Sequence, residues 1–81
     1  MKFHDFFRER MLSLCEERNI TINKLSVLSG ITQSTVDNIM RGKSNCPRID
    51  TLRKLAHGLN MDWLKFIEYI YPPDAEFDDI D

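Results

Sequence analysis

The sequence predicts an all-α fold, a compact bundle of about five helices. Glycine and proline occur at only six positions, namely Gly30, Gly42, Gly58, Pro47, Pro72 and Pro73. They divide the chain into helix-length segments. Within these segments apolar residues recur every three or four positions, and no segment alternates as a strand does. The 81 residues, of which 42% are hydrophobic, suffice for one small domain, expected over residues 1–72.

The first helix is expected over residues 3–18. Six apolar residues at helical spacing share one of its faces, namely Phe3, Phe6, Phe7, Met11, Leu14 and Cys15. Asp5 and Glu9 near the start and Arg18 near the end suit the charges of the helix dipole. Asn19 tolerates the left-handed backbone conformation that ends many helices.

Two short helices are expected next, joined by a tight turn. Thr21 is a suitable N-cap for the second helix, which runs to Ser29, and Gly30 supplies the turn. Thr32 is the N-cap candidate of the third helix, expected over residues 33–41 and ended by Gly42. Its inward face carries Val36, Ile39 and Met40. Its outward face carries Ser34, Asp37, Asn38 and Arg41.

The fourth helix is expected to begin at Ile49 or Asp50 and to break at residues 58–60, and the fifth to span residues 62–71. Residues 73–81 form an acidic tail that we expect to be disordered. Five of the 13 acidic residues lie in the last eight positions, so residues 1–73 have a net charge of +3 although the whole chain has −2. The alternative is that Phe77 and Ile80 dock the tail on a partner or over a basic surface.

The second and third helices with their turn have the form of a helix-turn-helix, although an ordinary pair of core helices remains the alternative. The outward face of the third helix favours a binding role. Gln33, Ser34, Asn38 and Arg41 offer hydrogen-bonding groups rather than the Glu and Lys mixture of a solvated face. Gln and Asn pair with adenine in the major groove of DNA, and Arg pairs with guanine.

Several segments, in order and at the right spacing, resemble the Cro/phage-repressor (Xre-type) helix-turn-helix family. They are FRERM at 7–11, ITINKLS at 20–26, LSGITQSTVDNI at 28–39, RGKS at 41–44 and TLRKLA at 51–56, with Pro47, Leu59, Asp62, Trp63 and Leu64. The resemblance covers about residues 7–67. It implies a lambda-repressor-like bundle and sequence-specific binding of double-stranded DNA by a small transcriptional regulator, often as a dimer.

The resemblance also implies which residues meet DNA, with the third helix in the major groove. The implied base contacts are Gln33, Ser34, Asp37 and Asn38. The implied backbone contacts are Thr21, Asn23, Thr32, Thr35, Arg41, Lys43, Ser44 and Arg48. The chain departs from the family pattern at Ile22, where many members have glutamine. Some members also pair an arginine of the first helix with a glutamate late in the third; Arg10 is present here, but Met40 stands at the acidic position.

The fifth helix carries apolar residues on more than one face, which leaves two interpretations open. In the first, Trp63, Leu64 and Ile67 complete the core and the tyrosines lie on the surface. In the second, an exposed apolar patch pairs with a second copy of the chain. The residues expected in this homodimer interface are Phe66, Tyr69, Ile70 and Tyr71. A two-fold dimer would place two recognition helices about 34 Å apart, as palindromic half-sites require.

Other functions find no support in the residues. His4 and His57 lack Cys, Asp or Glu at ligand spacing, and Cys15 and Cys46 form no CxxC motif, so we expect no metal and no cofactor. No nucleophile or phosphate-binding motif indicates an enzyme. No membrane-spanning segment or signal peptide is visible, so a cytoplasmic protein is expected. The alternative function is a protein-interaction module on the same fold, such as an antitoxin-like or anti-repressor partner.

Overall fold

The computed structural model describes residues 1–43 and 47–78, and these residues form five helices without a strand. The helices are α1 (Phe3–Glu17), α2 (Ile22–Ser29), α3 (Gln33–Met40), α4 (Ile49–Gly58) and α5 (Trp63–Ile70). Each lies within one or two residues of its expected bounds. The all-α prediction is therefore confirmed, together with the order of the helices.

The helices pack around one apolar core. α1 contacts α2, α3 and α5, while α4 packs against α2 and α5. Phe7, Met11, Leu25, Leu55 and Phe66, which come from four of the helices, are fully buried at its centre. Since burial of one such side chain contributes about 1.5–3 kcal/mol, this core accounts for most of the favourable free energy of folding.

The helix ends follow from local sequence signals. The side chains of Thr21, Thr32 and Asp62 each accept a hydrogen bond from the backbone amide three residues later, at the N-termini of α2, α3 and α5. Gly30 ends α2 with φ +72°, and Asn19 follows α1 with φ +56°. The sequence predicts the N-caps Thr21 and Thr32 and the helix-ending residues Gly30 and Asn19, whereas the cap at Asp62 was expected to be the first residue of the fifth helix.

The orientation of α5 corrects one prediction. Phe66 is fully buried and Ile70 is 1% exposed, because the face of α5 that carries them packs against α1 and α4. The sequence analysis expected both side chains in a dimer interface, and this expectation is wrong because neither is exposed. Leu64, which the other interpretation placed in the core, is 68% exposed. Tyr69 is half-buried and Tyr71 is exposed.

The first part of the acidic tail also differs from expectation, because it packs on the helices. Phe77 is only 9% exposed, and its ring centroid lies 5.3 Å from that of Phe3, 5.4 Å from that of Phe6 and 5.0 Å from that of Tyr71. The Asp78 amide donates to the Met1 carbonyl at 2.9 Å, and the Met1 ammonium group donates to the Asp78 carboxylate at 2.6 Å. Burial of the Phe77 ring thus holds this segment on the helices despite its acidic composition. Ile80 lies outside the described residues.

Candidate nucleic-acid interface

A tight turn fixes α3 relative to α2. The Gly30 amide donates to the Val27 carbonyl at 3.2 Å, and the Ile31 amide donates to the Ser26 carbonyl at 3.1 Å. This pair of bonds is the glycine-dependent cap that commonly ends helices. Ile31 then packs against the core. The two helices therefore form one unit with the predicted helix-turn-helix connection.

The two faces of α3 divide as the sequence predicts. Val36, Ile39 and Met40 are buried. Gln33, Ser34 and Asn38, three of the four expected base-contact residues, are exposed on the opposite side, while Asp37 is half-buried. α3 thus presents a row of hydrogen-bonding side chains to solvent.

Hydroxyl groups order the first turn of α3. The Thr32 hydroxyl accepts the Thr35 amide at 3.2 Å and lies 2.9 Å from the Thr35 hydroxyl and 3.3 Å from that of Ser34. This cluster restricts the rotamers of three side chains expected at DNA. The first amides of a helix have no intrahelical acceptor, so the capped end also offers donors to a phosphate.

A basic corner, which we define as Arg41, Gly42 and Lys43, follows α3. The Lys43 amide donates to the Asn38 carbonyl at 2.9 Å, and Gly42 has φ +76°. A Cβ atom on Gly42 would lie 2.7 Å from the His4 ring, so both the conformation and the close approach require glycine. Arg41 and Lys43 are exposed. Ser44, the remaining expected contact here, lies outside the described residues.

A second basic group flanks α3 on the side of α4. Arg48, the residue before α4, is exposed and lies 3.4 Å from the Asp50 carboxylate. It borders a depression of about 180 Å³ between α3 and α4, which Thr35, Asn38 and Thr51 also line. The structure therefore brings Thr35 and Asn38 together with Arg48 around one depression.

The start of α2 carries two more of the expected DNA-backbone contacts. Thr21 and Asn23, both expected to contact the DNA backbone, are exposed. The Thr21 hydroxyl is occupied by the Lys24 amide, at 3.0 Å. Lys24 is an exposed cation in the first turn of α2 and was not among the expected DNA contacts. Its place three residues after the N-cap was the available signal.

The departures from the family pattern have structural counterparts. Met40 is buried, and its backbone carbonyl accepts a hydrogen bond from Arg8 at 3.1 Å. Arg10 instead lies between two rings, 4.5 Å from the centroid of Phe6 and 4.4 Å from that of Tyr69. The link between α1 and α3 is therefore made by Arg8, which the sequence reasoning did not single out.

Residues 1–43 and 47–78 contain no group of three or more His, Cys, Asp or Glu side chains placed to hold a metal ion. Cys15 is buried, and burial raises the pKa of its thiol, although nearby Arg18 acts in the opposite direction. Cys46 lies outside these residues. None of the described helices has the length and apolar character needed to cross a membrane.

Comparison with known proteins supports this architecture. A helix-turn-helix family model matches residues 11–66, which is more than half of the chain. The chain belongs to this helix-turn-helix family. The match runs from the middle of α1 into α5, so it includes α2, α3 and α4 entirely. The family membership confirms the resemblance found in the sequence.

Two curated members from Bacillus subtilis (strain 168) are similar to this helix-turn-helix protein. The chain is 35% identical over 57 residues to the HTH-type transcriptional repressor RghR, and equally identical over the same length to the uncharacterized HTH-type transcriptional regulator RghRB. Each match covers 70% of this chain but only 42% and 41% of the relatives. The chain thus spans about two fifths of the length of these relatives. No solved structure matches.

Proposed function

We propose that the chain is a small transcriptional regulator that binds specific sequences of double-stranded DNA, with α3 in the major groove. The observation that carries the proposal is the exposed polar row of Gln33, Ser34 and Asn38 on a helix whose other face is buried. The printed names of both curated relatives, a transcriptional repressor and a transcriptional regulator, support it.

The dimensions and chemistry of α3 suit this role. An α-helix with its side chains is about 10–12 Å in diameter, and the major groove is about 12 Å wide, so α3 can enter the groove. In this proposal Asn38 and Gln33 make bidentate contacts with adenine, and Ser34 reads a neighbouring base edge. Asp37 accepts a hydrogen bond from the exocyclic amine of cytosine, since a carboxylate would otherwise be repelled by phosphates.

Backbone contacts surround the base-reading row. Thr21, Asn23, Thr32 and Thr35 lie at the N-terminal turns of α2 and α3, where helix amides favour phosphate. Arg41, Lys43 and Arg48 stand at the other side of α3, and each phosphate that they neutralise releases condensed counterions. Lys24 adds a further cation. Four of the 11 lysine and arginine residues, namely Lys24, Arg41, Lys43 and Arg48, thus lie around α2 and α3, so a chain with net charge −2 would still present a basic surface to DNA.

We further propose a homodimer, with an interface that the structure revises. Phe66 and Ile70 belong to the core, while Tyr69 stacks on Arg10 and Tyr71 packs on Phe77. Leu64 remains as the exposed apolar side chain of α5, at 68%, next to the half-buried Trp63. A two-fold contact through these two residues would bury Leu64 and pair two recognition helices. Sedimentation of the wild type and of Leu64→Glu measures this directly, and equal masses would contradict the interface.

Selection of bound sites from random duplex DNA tests the function. We expect a recurring sequence, and we expect Asn38→Ala to change the preferred base at one position by about 1–3 kcal/mol. Lys43→Ala should weaken binding to all duplexes and lower the slope of log affinity against log salt by about 1. Lys65→Ala on α5 removes an exposed cation away from α3 and serves as the control. The proposal fails if no sequence is enriched, or if the Asn38 variant selects the wild-type sites.

A further inference from the structure

Two arginines, Arg8 on α1 and Arg18 directly after it, cap the C-terminal ends of two different helices. Arg8 donates through Nη1 to the carbonyl of Met40, the last residue of α3, at 3.1 Å. Arg18 donates through Nε to the carbonyl of Leu59, which follows α4, at 3.0 Å. The last carbonyls of a helix lack intrahelical partners and lie at the negative end of its dipole, so a guanidinium group satisfies both requirements.

The Arg8 hydrogen bond is one of several contacts between the start of α1 and the end of α3. Nη2 of Arg8 donates to the Asp5 carboxylate at 2.8 Å, one turn earlier on α1, which orients the guanidinium group. In the same turn the His4 ring fills the space beside Gly42, where a Cβ would lie 2.7 Å away. The first two turns of α1 therefore hold the last residue of α3 and the basic corner that follows it.

We propose that Arg8, oriented by Asp5, is a positioning residue for DNA binding. It fixes the C-terminal end of α3 against α1, and thereby sets the direction in which Asn38 and the basic corner meet the duplex. Its own guanidinium group is engaged by a carboxylate and a carbonyl, so it acts through α3 and not on a phosphate. The inference rests on the proposed function and deepens it.

A matched pair of variants separates positioning from simple stability. Arg8→Met should weaken binding of the selected duplex about ten-fold, the lower end of what the loss of one charge-assisted hydrogen bond supports. The slope of log affinity against log salt should stay at the wild-type value, because no phosphate contact is lost. Arg18→Met removes the same kind of bond at the end of α4 and should leave DNA affinity unchanged. Urea denaturation of both variants reports their stability.

The sign of a second effect is more discriminating. Asp5→Asn removes a negative charge, which by electrostatics alone would tighten binding to DNA. Positioning predicts the opposite, weaker binding, because Arg8 loses the carboxylate that orients it. Glu9→Gln removes an exposed carboxylate from the same helix and is the control, for which equal or slightly tighter binding is expected.

Amide hydrogen exchange of the free protein tests the contact between Arg8 and α3 without DNA. Exchange at Gly42 and Lys43 should be faster in Arg8→Met and unchanged in Arg18→Met. The inference is overturned if the Gly42 and Lys43 amides exchange at the same rate in Arg8→Met as in the wild type, or if Arg8→Met binds DNA as tightly as the wild type. It is also overturned if Arg18→Met loses as much DNA affinity as Arg8→Met, or if Asp5→Asn binds DNA more tightly than the wild type. A wild type that selects no duplex refutes the proposed function, and with it the DNA role of Arg8, whereas the exchange data still report the contact itself.

Discussion

α4 approaches the last residue of α2 closely at Gly58, and Gly58→Ala tests whether this position must remain a glycine. A Cβ atom on Gly58 would lie 2.1 Å from the Ser29 hydroxyl oxygen, 2.9 Å from the Ser29 nitrogen and 3.0 Å from the Ser29 Cα. The first contact could be relieved by rotation of the hydroxyl, but the other two involve backbone. The helices must therefore separate to admit one methyl group.

The expected cost follows from two opposing effects. Overpacking against backbone costs up to about 3 kcal/mol. Alanine is favoured over glycine within a helix by about 1 kcal/mol, which offsets part of this. Gly58→Ala should then lower the free energy of unfolding by about 2 kcal/mol. In a domain of this size that corresponds to a decrease in Tm of about 8–16 °C.

Urea and thermal denaturation followed by circular dichroism measure the change. Gly30→Ala is the informative control, because a Cβ there meets nothing within 4 Å and only the positive φ of +72° is penalised, at about 1 kcal/mol. Adding Ser29→Gly to Gly58→Ala removes the contact with the hydroxyl oxygen and should restore part of the lost stability. The recovery should be incomplete because the contacts with the Ser29 backbone remain. A Gly58→Ala protein as stable as the wild type would refute the close-approach argument.

Three further predictions concern the tail, the α3 cap and the buried thiol. Phe77→Ala should lower the free energy of unfolding by about 1–2 kcal/mol, less than in a closed core because the tail can detach, and truncation after Pro73 should cost the same in urea denaturation. Thr32→Ala should cost about 1 kcal/mol through the lost cap and should also weaken DNA binding, as titration with the selected duplex would show. Because burial raises the pKa of the Cys15 thiol, the unfolded chain ionises first, so stability should fall as pH rises past about 9. A rise in stability over this interval would contradict that sign.

Local signals in the sequence were enough to predict the helices and the exposed row of α3. Thr21, Gly30 and Thr32 act within a few residues of their own positions, so the helix ends that they set can be predicted without knowledge of the tertiary structure. The inward and outward faces of α3 follow from its helical spacing, since its apolar residues form one clear stripe.

The rest depended on contacts between distant parts of the chain. α5 is apolar on several faces, so spacing alone could not decide whether Phe66 or Leu64 enters the core; the packing of α5 on α1 and α4 decides it. Phe77 meets Phe3 across the length of the sequence, which acidic composition does not reveal. Arg8 is one of several arginines in its segment, and its bond to Met40 exists only once α1 lies beside α3.

The contact between Met1 and Asp78 has a practical use in protein engineering. Because residues 1 and 78 are hydrogen-bonded through their backbones, a covalent cross-link between these two positions could be introduced without moving either segment. Such a cross-link would restrict the unfolded chain and tether the aromatic segment around Phe77 permanently, while leaving the surface of α3 free.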